Sequence, residues 1–110
     1  MKISRNSAQQ IVEEIGELVR QNINLMDETG HIIASNDPAR IGRFHPGAYD
    51  VLTRHLTELY ITKEREESDS RVRCGINLPI EVEGQLEGVI GITGLYDEVI
   101  QYGQIVKKMA

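Results

Sequence analysis

The chain has 110 residues, enough for one domain and too few for two comfortable ones. Its net charge of −5 argues against a nucleic-acid surface, because phosphate contacts need clustered basic residues. A single cysteine, Cys74, excludes an internal disulfide and a multi-cysteine metal site, and no apolar run approaches the ~20 residues of a membrane span. A cytoplasmic setting is expected, and the core must be built from Ile, Leu, Val and Met, since aromatic residues are few.

Residues 4–20 read as a helix that Ser4 or Ser7 can cap and Asn22 closes. Ala8, Ile11, Val12, Ile15, Leu18 and Val19 share one face at three- and four-residue spacing, opposite Glu13, Glu14, Glu17 and Arg20. That face is expected to cover a sheet and, in part, to meet a second copy of the chain. Two short apolar runs follow, Ile23–Asp27 and His31–Ser35. Between them, Asp27-Glu28-Thr29-Gly30 has hairpin chemistry: Asp bonds its own turn and Gly takes a positive φ. His31 reads as a solvated strand-edge residue.

Ser35 to Ala48 is irregular and holds Arg40, Arg43 and His45. Pro46 starts a second helix, with Ala48, Val51, Leu52, His55 and Leu56 facing inward. Leu59–Thr62 is a short edge strand, and the polar run from Lys63 to Ser70 reads as a mobile surface loop. Val72, Cys74, Ile76, Leu78, Ile80 and Val82 alternate with polar or small residues, which predicts a long strand. Pro79 marks an edge or a bulge in it. Glu83-Gly84-Gln85 turns the chain into a returning strand, Leu86–Thr93, in which Gly88 and Gly91 leave room for a backbone or a ligand. Leu95–Met109 is a final helix. Leu95, Val99, Tyr102, Val106 and Met109 form a short heptad-like seam, and Lys107 and Lys108 suit the helix end. No glycine or proline caps it, so the chain is expected to be the N-terminal domain of a longer protein. The order of elements predicts one α+β domain over 1–110: about five antiparallel strands flanked by N-terminal, middle and C-terminal helices.

A pocket is expected between the middle helix and the sheet. Arg40 offers a planar fork matched to a carboxylate and is preferred over Arg43; either can equally be a surface ion pair. His45 precedes Pro46 at the helix start. There the Gly47 and Ala48 amides are expected to be free for an anion, with His45 as donor or simply as cap. Ser35 and Asn36 can bond a ligand or the loop backbone. Asn77, on the polar face of the long strand, can satisfy a ligand oxygen. Cys74 reads as a buried small hydrophobe. The three histidines lack metal-ligand spacing, there is no Gly-rich phosphate loop, and no acid–base pair stands out, so neither metal, cofactor nor catalysis is expected.

The runs NINLMDETGHIIASNDPARIGRFHPGA and GINLPIEVEGQLEGVIGITG closely resemble the sugar diacid recognition domain, the sensor of bacterial carbohydrate diacid regulators. Its most specific parts here are Arg40–Ala48 and Asn77–Ile80. The resemblance implies a PAS-like fold, a small effector such as glucarate, galactarate or glycerate, and a DNA-binding helix-turn-helix outside this segment. There is a wider similarity to the di- and tricarboxylate sensors of two-component kinases. Ser35 and Asn77 stand at about the positions of basic ligand-clasping residues there, which implies a smaller or less charged ligand than citrate. The alternative to a sensor is a dimerisation module without a functional ligand site; an enzyme ranks last.

Overall fold

The computed structural model describes residues 4–109, with side chains through residue 105. Helix α1 (Arg5–Val19) leads into a hairpin of β1 (Ile23–Met26) and β2 (Ile32–Ser35). The Ser4 hydroxyl caps α1 by accepting from the Ser7 N–H at 3.2 Å. Arg20, in the left-handed conformation, closes the helix two residues before Asn22. In the hairpin turn, Asp27 Oδ1 accepts from the N–H groups of Thr29 (2.9 Å) and His31 (3.1 Å), and Gly30 takes a φ of +88°. His31 is exposed and forms an isolated bridge to Phe44.

A 3-10 turn (Pro38–Arg40) then leads to α2 (Pro46–Arg54), with Pro46 in its first turn. His55 is exposed and ends α2 in the left-handed conformation, rather than packing inward. The chain continues through β3 (Leu59–Ile61), α3 (Lys63–Ser68), β4 (Gly75–Val82), β5 (Gln85–Thr93) and α4 (Tyr96–Met109).

Helix α3 corrects the expected loop over residues 63–70. Thr62 Oγ1 caps it by accepting from the Arg65 N–H at 3.1 Å, and Glu66 Oε1 ties it to the Cys74 N–H at 2.9 Å. The turn has no buried residue, hence no apolar stripe to betray it. The long strand also starts later than its alternation suggests. Val72 and Cys74 are buried, but β5 ends at Thr93, opposite Gly75, and the Cys74 N–H is taken by the Glu66 carboxylate rather than by a strand.

The sheet is antiparallel throughout, in the order β2-β1-β5-β4-β3. One face carries Ile23, Leu25, Ile76, Leu78, Ile90 and Ile92, packed against Val12 and Ile15 of α1 and Val99 of α4. The other places Met26, Ile32 and Val89 under Ala48 and Val51 of α2. Val99 and Tyr102 of the expected seam are thus spent on the protein's own sheet, while Val106 and Met109, like Lys107 and Lys108, lie outside the described side chains. On α1, Ile11 (39 % exposed) and Leu18 (75 %) stay outside the core.

Gly88 leaves room for backbone: a Cβ there would lie 2.3 Å from the Met26 carbonyl oxygen. Pro79 marks an edge. β3 pairs only with Gly75–Asn77, so β4 runs on beyond it. The Gly94 N–H donates to the Cys74 carbonyl, and Ile76, Leu78 and Ile80 pair with Ile92, Ile90 and Gly88. Even-numbered residues of β4 therefore bond to β5, and odd-numbered ones, Pro79 included, turn their backbone to the other side.

Candidate functional site

Strand register sets Ser35, Asn24, Gly91 and Asn77 side by side across four strands. By alternation, this row shares the α2 face with Met26 and Val89. Gly91 is the missing tooth in the row. A Cβ there would come 2.8 Å from Asn77 Oδ1, so glycine keeps a pit open in the sheet. Arg40, from the 3-10 turn, and His45, from the start of α2, close over the pit. The resulting cavity measures about 10 Å³ and is lined by Asn24, Arg40, His45, Arg73, Asn77, Gly91 and Thr93 among others. That is room for about one water molecule.

Arg40 is 6 % exposed. Its Nη1 donates to Asn22 Oδ1 at 3.2 Å. It also donates to Asn24 Oδ1 at 2.9 Å, in the amide orientation that lets Asn24 Nδ2 donate to Ser35 Oγ (2.6 Å) and the Ile23 carbonyl (3.2 Å). Among the described residues, no carboxylate forms an ion pair with this guanidinium. Burial, then the neighbouring Arg73, lowers its pKa from the ordinary value, and Asp37 offsets this in part. A buried cation whose hydrogen bonds all go to neutral amides is an uncommon arrangement, because its desolvation is only partly compensated.

His45 is 4 % exposed, and its Nδ1 accepts from the Ala48 N–H at 3.0 Å. The proton of the neutral ring therefore sits on Nε2, a donor for which no partner is found among the described residues. Burial, then the charges of Arg40 and Arg65, push the imidazole pKa down to about 4, so the ring is neutral at neutral pH. Asn77 is 3 % exposed, and among the described residues its Nδ2 makes only a long 3.5 Å contact to the Leu59 carbonyl. Thr93 Oγ1 donates to Asn22 Oδ1 at 3.3 Å, so Asn22 joins Arg40 to the last residue of β5.

Of the residues expected to bind a ligand, the fold brings Arg40, His45 and Asn77 together. Ser35 is fully buried beside them, but its hydroxyl is engaged with Asn24 and accepts from the Asp37 N–H at 3.0 Å. Asn36 faces away. Its Oδ1 accepts from Asn22 Nδ2 (2.6 Å) and the Ile23 N–H (2.9 Å), and its Nδ2 donates to the Gln21 carbonyl (2.9 Å). It lines a separate open groove against α1, with Gln9, Gly16 and Glu17. Gly47 and Ala48 do not line the cavity either. The Ala48 amide is not free, because His45 Nδ1 takes it. The space over Gly47 is filled by the protein itself: a Cβ there would meet Ile61 Cδ1 at 2.8 Å and His45 Cε1 at 2.9 Å. Arg43 is exposed.

Asn24, Arg73 and Thr93 were not anticipated as lining residues. Asn24 left a signal, as the one polar side chain inside Ile23–Met26. Arg73 left another, on the polar side of the alternation around Cys74.

Comparison with known proteins fits this architecture. The family model described as "Putative sugar diacid recognition" matches residues 3–110. The carbohydrate diacid regulator of Escherichia coli (strain K12) is 41 % identical over 100 residues, covering 90 % of this chain and 26 % of that protein. The chain spans only about a quarter of that relative's length. Among solved structures, the cofactor-binding GAF domain of the nutrient sensor CodY from Clostridium difficile superposes with a TM-score of 0.65 at 11 % identity, covering 92 % of this chain and 77 % of that one. The sensor domain of the V. cholerae histidine kinase DctB gives 0.57 at 19 % identity, covering 86 % and 39 %. These two are likenesses of fold, and the fold is of the PAS-like class. With nearly the whole chain matched by one family model, the chain belongs to the sugar diacid recognition family.

Proposed function

We propose that this chain is the effector-sensing domain of a bacterial transcriptional regulator, and that its effector is a small sugar diacid or hydroxy acid of the glucarate, galactarate or glycerate class. The observation that carries this reading is Arg40, a residue 6 % exposed whose guanidinium is bonded to neutral amides and has no carboxylate ion pair among the described residues. A ligand carboxylate supplies the missing charge in a bidentate contact. The Nε2–H of His45 and the amide of Asn77 then serve its remaining oxygens and hydroxyls.

The cavity holds about one water, so such a ligand enters only as the 3-10 turn and the start of α2 lift from the sheet. Asn22 would carry that movement from Arg40 to the junctions of α1 and α4. The regulator would work in the cytoplasm, with DNA contact made outside this segment. The name of the E. coli relative, a carbohydrate diacid regulator, supports the ligand class.

The test is a thermal-shift series with glucarate, galactarate and glycerate at millimolar concentration. At a hundred times its Kd, an effector adds about 2.7 kcal/mol to stability, a rise in Tm of about 10 °C or more. Arg40→Ala is expected to abolish that rise. It leaves the Tm without acid within about 4–8 °C, since relief of the buried charge offsets the orphaned Asn24 oxygen to within about 1 kcal/mol. No shift with any of the three acids would sink the reading.

A second reading, a dimerisation module without a functional ligand site, is favoured by Leu18 and Ile11 on the outer side of α1, 75 % and 39 % exposed. It requires a stable dimer whose Tm ignores all three acids.

A further inference from the structure

Two guanidiniums reach the cavity, but they are held differently. Arg40 is buried among amides, whereas the Arg73 side chain is 48 % exposed and its Nη2 lies 3.5 Å from Asp37 Oδ2. That ion pair is long and half in water, so it is easily exchanged. Asp37 loses little on release. Its carboxylate is 36 % exposed and still accepts from the Ala39 N–H at 3.3 Å, capping the turn that carries Arg40.

Among the residues that line the cavity, Arg40 and Arg73 are the two cations and His45 is neutral, and the carboxylate paired with a lining guanidinium is Asp37 on Arg73. A ligand with one carboxylate neutralises Arg40 and leaves the Arg73–Asp37 pair standing. A ligand with two must take the place of Asp37, or neither guanidinium lining the cavity is left for its second anion.

We propose that Arg73 is the residue that distinguishes two-acid from one-acid ligands: Asp37 holds it at the cavity mouth and yields it to the ligand's second carboxylate. This rests on Arg40 holding the first carboxylate, as proposed above. Asp37 is then an internal competitor, and its charge sets how strongly the second carboxylate is rewarded. The same exchange loosens the segment between β2 and the 3-10 turn, so a diacid would act on the Arg40 turn in a way that a monoacid does not.

Calorimetric titration with glucarate and gluconate separates the two groups, since the acids differ only in one terminal carboxylate against a hydroxymethyl. Arg73→Gln is expected to weaken glucarate about tenfold and to change gluconate by no more than about twofold. Asp37→Asn keeps the cap and removes the competing charge. It is expected to tighten glucarate about threefold or more while moving gluconate less. Equal losses for both acids in Arg73→Gln, or an unchanged glucarate affinity, would overturn the assignment. If both acids bind, Arg40→Ala abolishes them and Arg73→Gln spares them, Arg73 alone is wrong. If the wild-type chain binds neither acid, the Arg40 reading falls with it.

Discussion

Across one face of the sheet, Ala34, Leu25, Ile90 and Leu78 stand in a row under α1 and α4. One residue along the same strands, Ser35, Asn24, Gly91 and Asn77 make the row under Arg40 and His45. The first row is stabilised by close packing alone. The second buries amides, a hydroxyl and a cation, each of which must find a partner or weaken the fold. The contrast shows where this small domain keeps its stability and where it gives some up for a polar cavity.

The largest expected effect lies on the apolar face. Ile92→Ala removes a side chain that is 1 % exposed, between Ile23 and Ile76, and should lower the unfolding free energy in urea by about 2–5 kcal/mol.

The polar face should respond to pH instead. His45 titrates at about 4 in the fold, against 6.5 in the unfolded chain. Between those values the unfolded chain binds more protons, so stability falls as pH drops from about 6.5 towards about 4. Above 6.5 this group contributes no slope, and the full span is on the order of 3 kcal/mol. Urea midpoints across that range should show the fall, and His45→Asn, which keeps a capping side chain, should flatten it.

Asn36→Ala tests whether that residue holds backbone rather than ligand. It loses bonds to Ile23 and Gln21, a cost of about 1–2 kcal/mol, and should leave the Tm rise with acid intact. A lost acid response would return Asn36 to the site. The smallest effect is expected for Leu18→Gln, on a side chain 75 % exposed: stability within about 0.5 kcal/mol. If sedimentation shows a wild-type dimer that this change dissociates, α1 is the seam between copies.

Much of the fold was legible because its signals are periodic. The spacing of Ala8, Val12, Ile15 and Val19 marks α1, and alternation from Ile76 to Ile80 marks β4. α3 was hidden because six charged and polar residues have no apolar face to show. The site was legible as residue types but not as partners. Arg40 and His45 stand out in an irregular stretch, yet the Ala48 amide expected to be free is taken by the His45 ring, which acts as the helix cap, the other role open to it. Asn24 and Ser35 meet only through the hairpin register, and a slip of β2 by one residue would send Ser35 to the face opposite Asn24. Arg73 meets Asp37 across 36 positions of chain, a pairing no local pattern announces.

The overhang of β4 past β3 bears on solubility. A strand projecting beyond its neighbour offers backbone donors and acceptors to any other chain, the usual start of edge-to-edge aggregation. Here Pro79 turns its nitrogen, which has no hydrogen to give, to that open side, and a register shift between Ile80 and Glu81 follows at once. An incoming strand would find a missing donor and then a break in the ladder. The hairpin that carries Asn77 and Gly91 is thereby kept from recruiting a foreign strand beside the cavity.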